Sequence, residues 1–337
     1  MSHFTCLVIG SDVAAALQPF HEFECTGTND KFVQDIDVTE EKREEYESDE
    51  QHIVVDPQGT AHYMFTVEGE YDVRFCTKGG RGDKKEFIPP GWTEGSRPTK
   101  ERFTMAEWLT HDGIRLLDPK VGAGERHKYG YFMLGADGEV SKVVRRTNPN
   151  RKWDWWVVGG RWANKLLFKN GRCGDTGLVG EIDWDGMLRE KADAAAALFD
   201  RITAGIAGRP VRSWKQIYAR QEAGEFSIEE ARDFYNGQRV VQELREAEVL
   251  DSWDGDQQLS SVLAASDRQS YIDRESMINA SSWGFLLDGQ WYERGDMGWF
   301  GMSDADDDSI AQYSKKFWDV IRSLSPDARV TVVDCHI

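Results

Sequence analysis

Both ends of this 337-residue chain read as strands that are apolar on two faces, and nothing else in the sequence constrains the fold as much. Residues 4–9 (FTCLVI) stop at Gly10-Ser11-Asp12, and residues 329–337 (RVTVVDCHI) run to the last residue. A strand without a polar face is covered on both sides, which is the position of a central strand. Central strands need a neighbour at each edge. The two ends are therefore expected in one sheet, side by side. Between them, Leu188, Ala192, Ala195, Leu198, Phe199, Ile202 and Ile206 recur at helical spacing. Gly208-Arg209-Pro210 ends that run. The expected fold class is α+β: a mixed sheet containing both the N- and C-terminal strands, with a helical insertion or lobe. Residues 1–184 and 279–337 would form a discontinuous sheet-containing domain, and residues 185–278 the helical insertion.

Local signals fill in the rest. Asp12 is placed to cap a short helix over 13–17 that Pro19 ends. Residues 35–50 carry nine acids against Lys42 and Arg43, which predicts a solvated loop or exposed helix. Residues 53–55 and 62–67 read as strands about the turn Asp56-Pro57-Gln58-Gly59, and residues 77–100 as a long surface loop. Thr104…Glu107 and Ser227…Glu230 are capping boxes. Residues 129–134 and 139–144 flank Gly135-Ala136-Asp137-Gly138 as a hairpin; residues 283–287 and 290–292 do so about Asp288-Gly289. Further helices are predicted over 211–222, from 227 towards 250 with a break at Gly237, over 271–278 and over 308–324.

The composition narrows the function classes. A net charge of −18 and a pI near 4.9 argue against nonspecific DNA binding by the surface as a whole. No run of 18 apolar residues predicts a membrane span. The start MSHFTCLVIG lacks the basic segment and cleavage site of a signal peptide. Five scattered cysteines without a CxxC pair support neither a zinc knuckle nor a disulfide framework. A reduced, cytoplasmic protein is expected, with no cofactor.

Against that acidic background, residues 141–172 hold nine Lys or Arg and one acid, Asp154. Within them lies WDWWVVGGRW, residues 153–162, with four of the thirteen tryptophans. A strand over 153–158 puts Trp153, Trp155 and Val157 on one face and Asp154, Trp156 and Val158 on the other. Gly159-Gly160 permits close backbone approach and an amide nest for an anion. Arg161 brings a planar fork suited to phosphate. Trp153, Trp155, Trp156, Gly159, Gly160 and Arg161 are thus candidate ligand-binding residues. The competing reading has the indoles filling core and Arg161 stacked on one of them. A second constellation, residues 291–301 (WYERGDMGWFG), offers Glu293 as a base and Arg294 as an anion clamp. A third is the C-terminus. Asp334 and His336 share one strand face, His3 joins them if the end strands pair, and Cys335 then faces core. Two histidines and a carboxylate suit acid–base work; no HxH or HxxxH spacing supports a metal centre.

Taken together, the blocks SHFTxLVIG, WDWxxxGGRW, GQWYERGDMGWFG and TVVDCHI span the chain from Ser2 to Ile337. They resemble a family of uncharacterised proteins encoded by tailed phages and by actinobacterial genomes and prophages. Cys6 stands where the family pattern has Val, and Trp156-Val157-Val158 where a Tyr and another aliphatic pair are usual. The resemblance implies a phage accessory product in the cytoplasm of an infected host, and no mechanism.

Two functions are expected from these residues. One is binding of an anionic, nucleotide-like or other phosphate-bearing small molecule by the Trp/Gly/Arg cluster; an enzyme and a sequestering binder fit it alike. The other is a non-catalytic interaction protein whose acidic faces bind a host or defence factor.

Overall fold

The computed structural model describes residues 2–22, 30–63, 91–118, 127–250, 255–296 and 303–337. Along the chain run β1 (His3–Ile9), α1 (Val13–Leu17), β2 (Gln34–Asp37), α2 (Thr39–Ser48), β3 (Glu50–Val55), β4 (Ala61–Tyr63), β5 (Thr93–Pro98) and α3 (Met105–His111). β6 (Arg115–Leu116), β7 (Gly130–Leu134), β8 (Val140–Thr147), β9 (Trp155–Val158), β10 (Leu166–Leu167), β11 (Cys173–Gly174) and β12 (Thr176–Leu178) follow. Six helices come next: α4 (Trp184–Ile206), α5 (Trp214–Glu222), α6 (Ile228–Asn236), α7 (Arg239–Glu246), α8 (Gly255–Ala264) and α9 (Arg268–Ala280). β13 (Gly284–Leu287), β14 (Gln290–Glu293), α10 (Asp307–Ser323) and β15 (Arg329–His336) close the chain.

The end strands do pair. β1 and β15 run antiparallel in a register that sets His3 opposite His336 and Ile9 opposite Val330. β13 joins β1 in parallel, and β14 joins β13 antiparallel. On the far edge of β15 lie β12, beside residues 329–331, and β9, beside residues 333–336. The fold is thus α+β, with a mixed sheet that holds both terminal strands and helices packed around it. One face carries Leu7, Phe285, Val330 and Val332 against Tyr313, Phe317, Trp318 and Ile321 of α10. That apolar stripe of α10, repeating at three and four residues, is what seats it there. The other face carries Phe4, Cys6, Val8, Leu286, Val333 and Cys335, all buried.

The helices after β12 build a second core from Ala195, Ile202, Ile217, Tyr235, Leu244, Leu259 and Tyr271. α4 is long enough, roughly 34 Å, to take part in both cores: Met187 near its start packs with the sheet, Ala195 and Ile202 with the helices. The contacts accordingly draw the domain boundary away from the expected 185–278 insertion. Residues 1–18 and 153–337 form one unit, sheet and helices together, and residues 19–152 form another. Within the second unit, α3 and the sheet β2-β8-β7-β6 share a core of Val38, Leu109, Phe132 and Val143. There β3 also pairs with β4 and β5.

Three local expectations change. Part of the predicted loop 77–100 is the strand β5; Gly95 lies flat on Ile53 of β3, and Pro98 sits at the strand end, where no ladder donor is required. The rest of that loop, 77–90, and residues 64–67 of a predicted strand lie outside the described residues. Helix α8 has too sparse an apolar pattern to announce itself: Leu259 and Val262 are its buried large side chains. The acidic run begins with an unexpected strand, β2, and the rest of it forms α2, the exposed helix expected, without a buried residue. No described helix is long and apolar enough to cross a membrane.

Candidate functional site

Strand parity builds the site. On β15, Val332, Asp334 and His336 alternate onto one face; the β1 register aligns them with Leu7, Thr5 and His3. The helix-covered face is therefore apolar along most of its length and polar at one end. β9 adds Trp155 opposite His336 and Val157 opposite Asp334. Continuing past β13 and β14, Trp283 donates its amide to Thr5 Oγ1 (2.9 Å), and Arg294 donates its own to the Trp283 carbonyl (3.3 Å). Two cross-strand rows result: Trp155–His336–His3 at the sheet end, and Val157–Asp334–Thr5–Trp283–Arg294 beside it.

The end row is a cluster of three rings around two histidine–carboxylate dyads. His3 Nδ1 lies 2.8 Å from Asp334 Oδ1, and His336 Nδ1 lies 2.7 Å from Asp154 Oδ1. An ionised carboxylate only accepts, so each holds its ring's proton on Nδ1 and leaves Nε2 for other use. The imidazoles meet edge to face at 4.9 Å between centroids. Trp155 stacks on His336 (5.1 Å, 16°) and meets His3 edgewise (5.2 Å). His336 and Asp334 are buried, whereas Trp155 is 44 % exposed, so one indole face is covered and the ring still reaches solvent. His336 Nε2 is buried and has no hydrogen-bond partner among the described residues. An unmatched buried imidazole nitrogen is costly, and such atoms concentrate at working sites.

Asp334 explains Gly160, and Asp175 explains Gly159. The Asp334 Oδ2 accepts the Arg161 amide at 3.0 Å. Gly160, at φ +53°, sits so close that a Cβ there would lie 2.4 Å from the Asp334 Cβ; at Gly159, φ +73°, it would lie 2.5 Å from Asp175 Oδ2. The amide turn expected to receive a ligand anion thus receives the chain's own buried carboxylate. This corrects the reading of Gly159 and Gly160 as an open nest.

The other candidates divide. Trp153 precedes β9, is buried, and donates its indole N–H to the Leu17 carbonyl at 3.2 Å, so it belongs to core. Trp156 pairs with Cys335 and faces the opposite side, half-buried edge-on to Trp153. Trp155 alone of the expected indoles joins the histidines, because the strand starts at 155 and parity is counted from there. Glu293 pairs with Gly284 in the Cys6 row, on the face away from the histidines, and accepts the Trp291 indole N–H at 2.8 Å. It is not placed to serve His3 or His336 as a base. Burial, Cys335 and Glu293 together push the Cys6 thiol well up. Arg294 does stand on the histidine face, but as a brace: Nη2 donates to the Ile278 carbonyl and to Ser281 Oγ, and the guanidinium lies 5.7 Å from the Trp283 ring centre. The part of the 291–301 constellation from 297 onward lies outside the described residues.

The basic island is not one patch. Lys142 and Arg146 meet Asp37 and Asp35 of β2 at 3.6 and 3.0 Å, and Arg145 meets Glu41 of α2, all within residues 19–152. Arg161 is exposed on the turn over Asp334, with no ion pair among the described residues. No cluster of three metal-ligating side chains occurs among the described residues.

Reading the sequence missed Lys165. Burial first, then Arg294 and Lys191, push its ammonium down to about 8. The folded chain therefore holds fewer protons than the unfolded chain between about pH 8 and the usual lysine range, and stability rises with pH across that window. At about 1.4 kcal/mol per unit, reduced for partial solvent contact, the rise is about 2 kcal/mol. Urea denaturation of Lys165→Met should lack that part of the rise seen in the wild type, and the variant should be the more stable of the two at neutral pH. Equal pH slopes in the two proteins would show that Lys165 is solvated.

No family model matches the chain, and neither does any curated protein or solved structure.

Proposed function

We propose that the ring cluster at the end of the sheet binds a nucleotide-like, phosphate-bearing ligand. The carrying observation is Trp155: its indole is backed by His336 and still 44 % exposed. A pre-oriented indole stacks on a nucleobase for about 1–3 kcal/mol. The adjoining turn presents the exposed Arg161 fork, without an ion pair among the described residues, for phosphate. His3 Nε2 has no partner among the described residues and is oriented through Nδ1 by Asp334. Like His336, it is a group on this face that can move a proton or hydrogen-bond a phosphate oxygen. Whether turnover accompanies binding depends on these two histidines. The setting that goes with this proposal is an infected bacterial cytoplasm.

Calorimetric titration with nucleoside mono-, di- and triphosphates tests the reading. Saturable binding is expected, weakened about 5- to 150-fold in Trp155→Ala and weakened again in Arg161→Gln. Absence of heat with every nucleotide in folded protein, or equal affinity in Trp155→Ala, would count against it. The acidic-interface reading has less support, since Glu40, Glu41, Glu45 and Glu47 of α2 each meet a cation of their own unit.

A further inference from the structure

The second row of this face ends in a group of donors with nothing to donate to. Arg294 satisfies Nη2 on Ile278 and Ser281, yet its Nε is buried with no acceptor among the described residues. The Trp283 indole N–H, on the ring that Arg294 covers, is likewise buried and unmatched. Lys165 is mostly withdrawn from water, within reach of the Arg294 charge, and no ion pair to it exists among the described residues. Glu275, whose charge reaches Arg294, is already engaged: it accepts from Ser261 Oγ (2.7 Å) and Arg274 (3.0 Å). Lys191, the other cation that acts on Lys165, is held by Glu190 at 2.8 Å. Two desolvated cations and an indole N–H without an acceptor make an expensive arrangement. An arrangement of this kind is relieved by an anion rich in acceptor oxygens.

We propose that Lys165, Arg294 and Trp283 form an oxyanion seat for a phosphoryl group. It lies one row in from the ring cluster and does not depend on a base stacking on Trp155. Bound there, phosphate would accept from Arg294 Nε and the Trp283 indole and restore the full positive charge of Lys165. Burial first, and then the Arg294 charge, depresses the Lys165 ammonium, and an anion held between the two cations would raise it again.

Inorganic phosphate is the probe, with adenosine monophosphate as a second arm. Titrations of the wild type are compared with Lys165→Met, Trp283→Phe and Trp155→Ala; the first two avoid the bracing role of Arg294, whose loss is able to unfold the chain. The expected result is saturable phosphate binding, weakened tenfold or more in Lys165→Met, weakened several-fold in Trp283→Phe and unchanged in Trp155→Ala. Competitive acetylation read by mass spectrometry should show the Lys165 amine becoming less reactive at pH 8 when phosphate is added. If Lys165→Met also weakens the monophosphate, the nucleotide's own phosphoryl group takes the seat. If it weakens inorganic phosphate alone, the seat is for the free ion. The proposal is overturned if folded wild type binds no phosphate saturably, if Lys165→Met and Trp283→Phe both bind it as the wild type does, or if Trp155→Ala alone abolishes it. The nucleotide reading has its own failure, normal phosphate binding with no effect of Trp155→Ala on any nucleotide, so the two are separable.

Discussion

Asp334→Ala should destabilise the sheet-containing unit by about 3–5 kcal/mol, the range for breaking a buried, hydrogen-bonded charge. Asp334 is 2 % exposed and accepts from two donors on different segments, His3 Nδ1 at 2.8 Å and the Arg161 amide at 3.0 Å. Alanine leaves both without an acceptor, and each orphaned buried donor costs about 1–3 kcal/mol. It also frees the His3 ring to choose the other tautomer. Asp334→Asn should recover part of the loss, because its one amide oxygen still accepts from Arg161, while its NH2 faces His3 Nδ1 and bonds it only by donating to the other tautomer. Urea denaturation measures the stability. The downfield Nδ1–H resonance of His3 reports the orientation and should disappear in Asp334→Ala. A loss below about 1 kcal/mol, the range of an exposed ion pair, would mean that the carboxylate is solvated.

Gly160→Ala should cost about 2–5 kcal/mol, for two separable reasons. At φ +53° an alanine is held in the left-handed region, at about 1–2 kcal/mol. Its Cβ would also stand 2.4 Å from the Asp334 side chain, so the turn must retreat, at about 1–3 kcal/mol, and loosen the Arg161 amide contact. Gly171→Ala is the control: φ is +80° and nothing lies within 4 Å of the added carbon, so only the backbone strain remains. The double variant Gly160→Ala with Asp334→Ala should lose less than the sum of the singles, because the second change removes what the first collides with. Additive losses, or equal losses at Gly160 and Gly171, would remove Asp334 from the explanation.

These two residues show where reading the sequence succeeds and where it stops. That Gly159-Gly160 serves a close approach to an anion is legible from residue types. That the anion is Asp334, 174 residues away in sequence, is not, because a nest binds a carboxylate from the same chain as readily as one from a ligand. The grouping of His3, Asp334 and His336 follows from strand parity once the two ends are paired. The same parity separates Glu293 from Arg294, but only after β14 is placed through β13 on β1, a register that no local pattern specifies. Trp153 and Trp155, expected alike on one strand face, part company because β9 begins two residues later than its composition suggests. The basic island lost its unity for a longer-range reason: β2 and α2, about a hundred residues earlier, bring acids to Lys142, Arg145 and Arg146.

The sequence by itself determined the class of the fold and the presence of both its ends in one sheet, because burial on both sides of a strand is a local property that any packing must respect. That the ends lie side by side, with His3 opposite His336, was decided by the tertiary register. The tertiary structure alone decided which cations keep their charge free, which indole meets solvent and which donors are left without acceptors. Charge and hydrogen-bond satisfaction depend on what the rest of the chain brings to within a few ångströms, and spacing along the chain does not encode that.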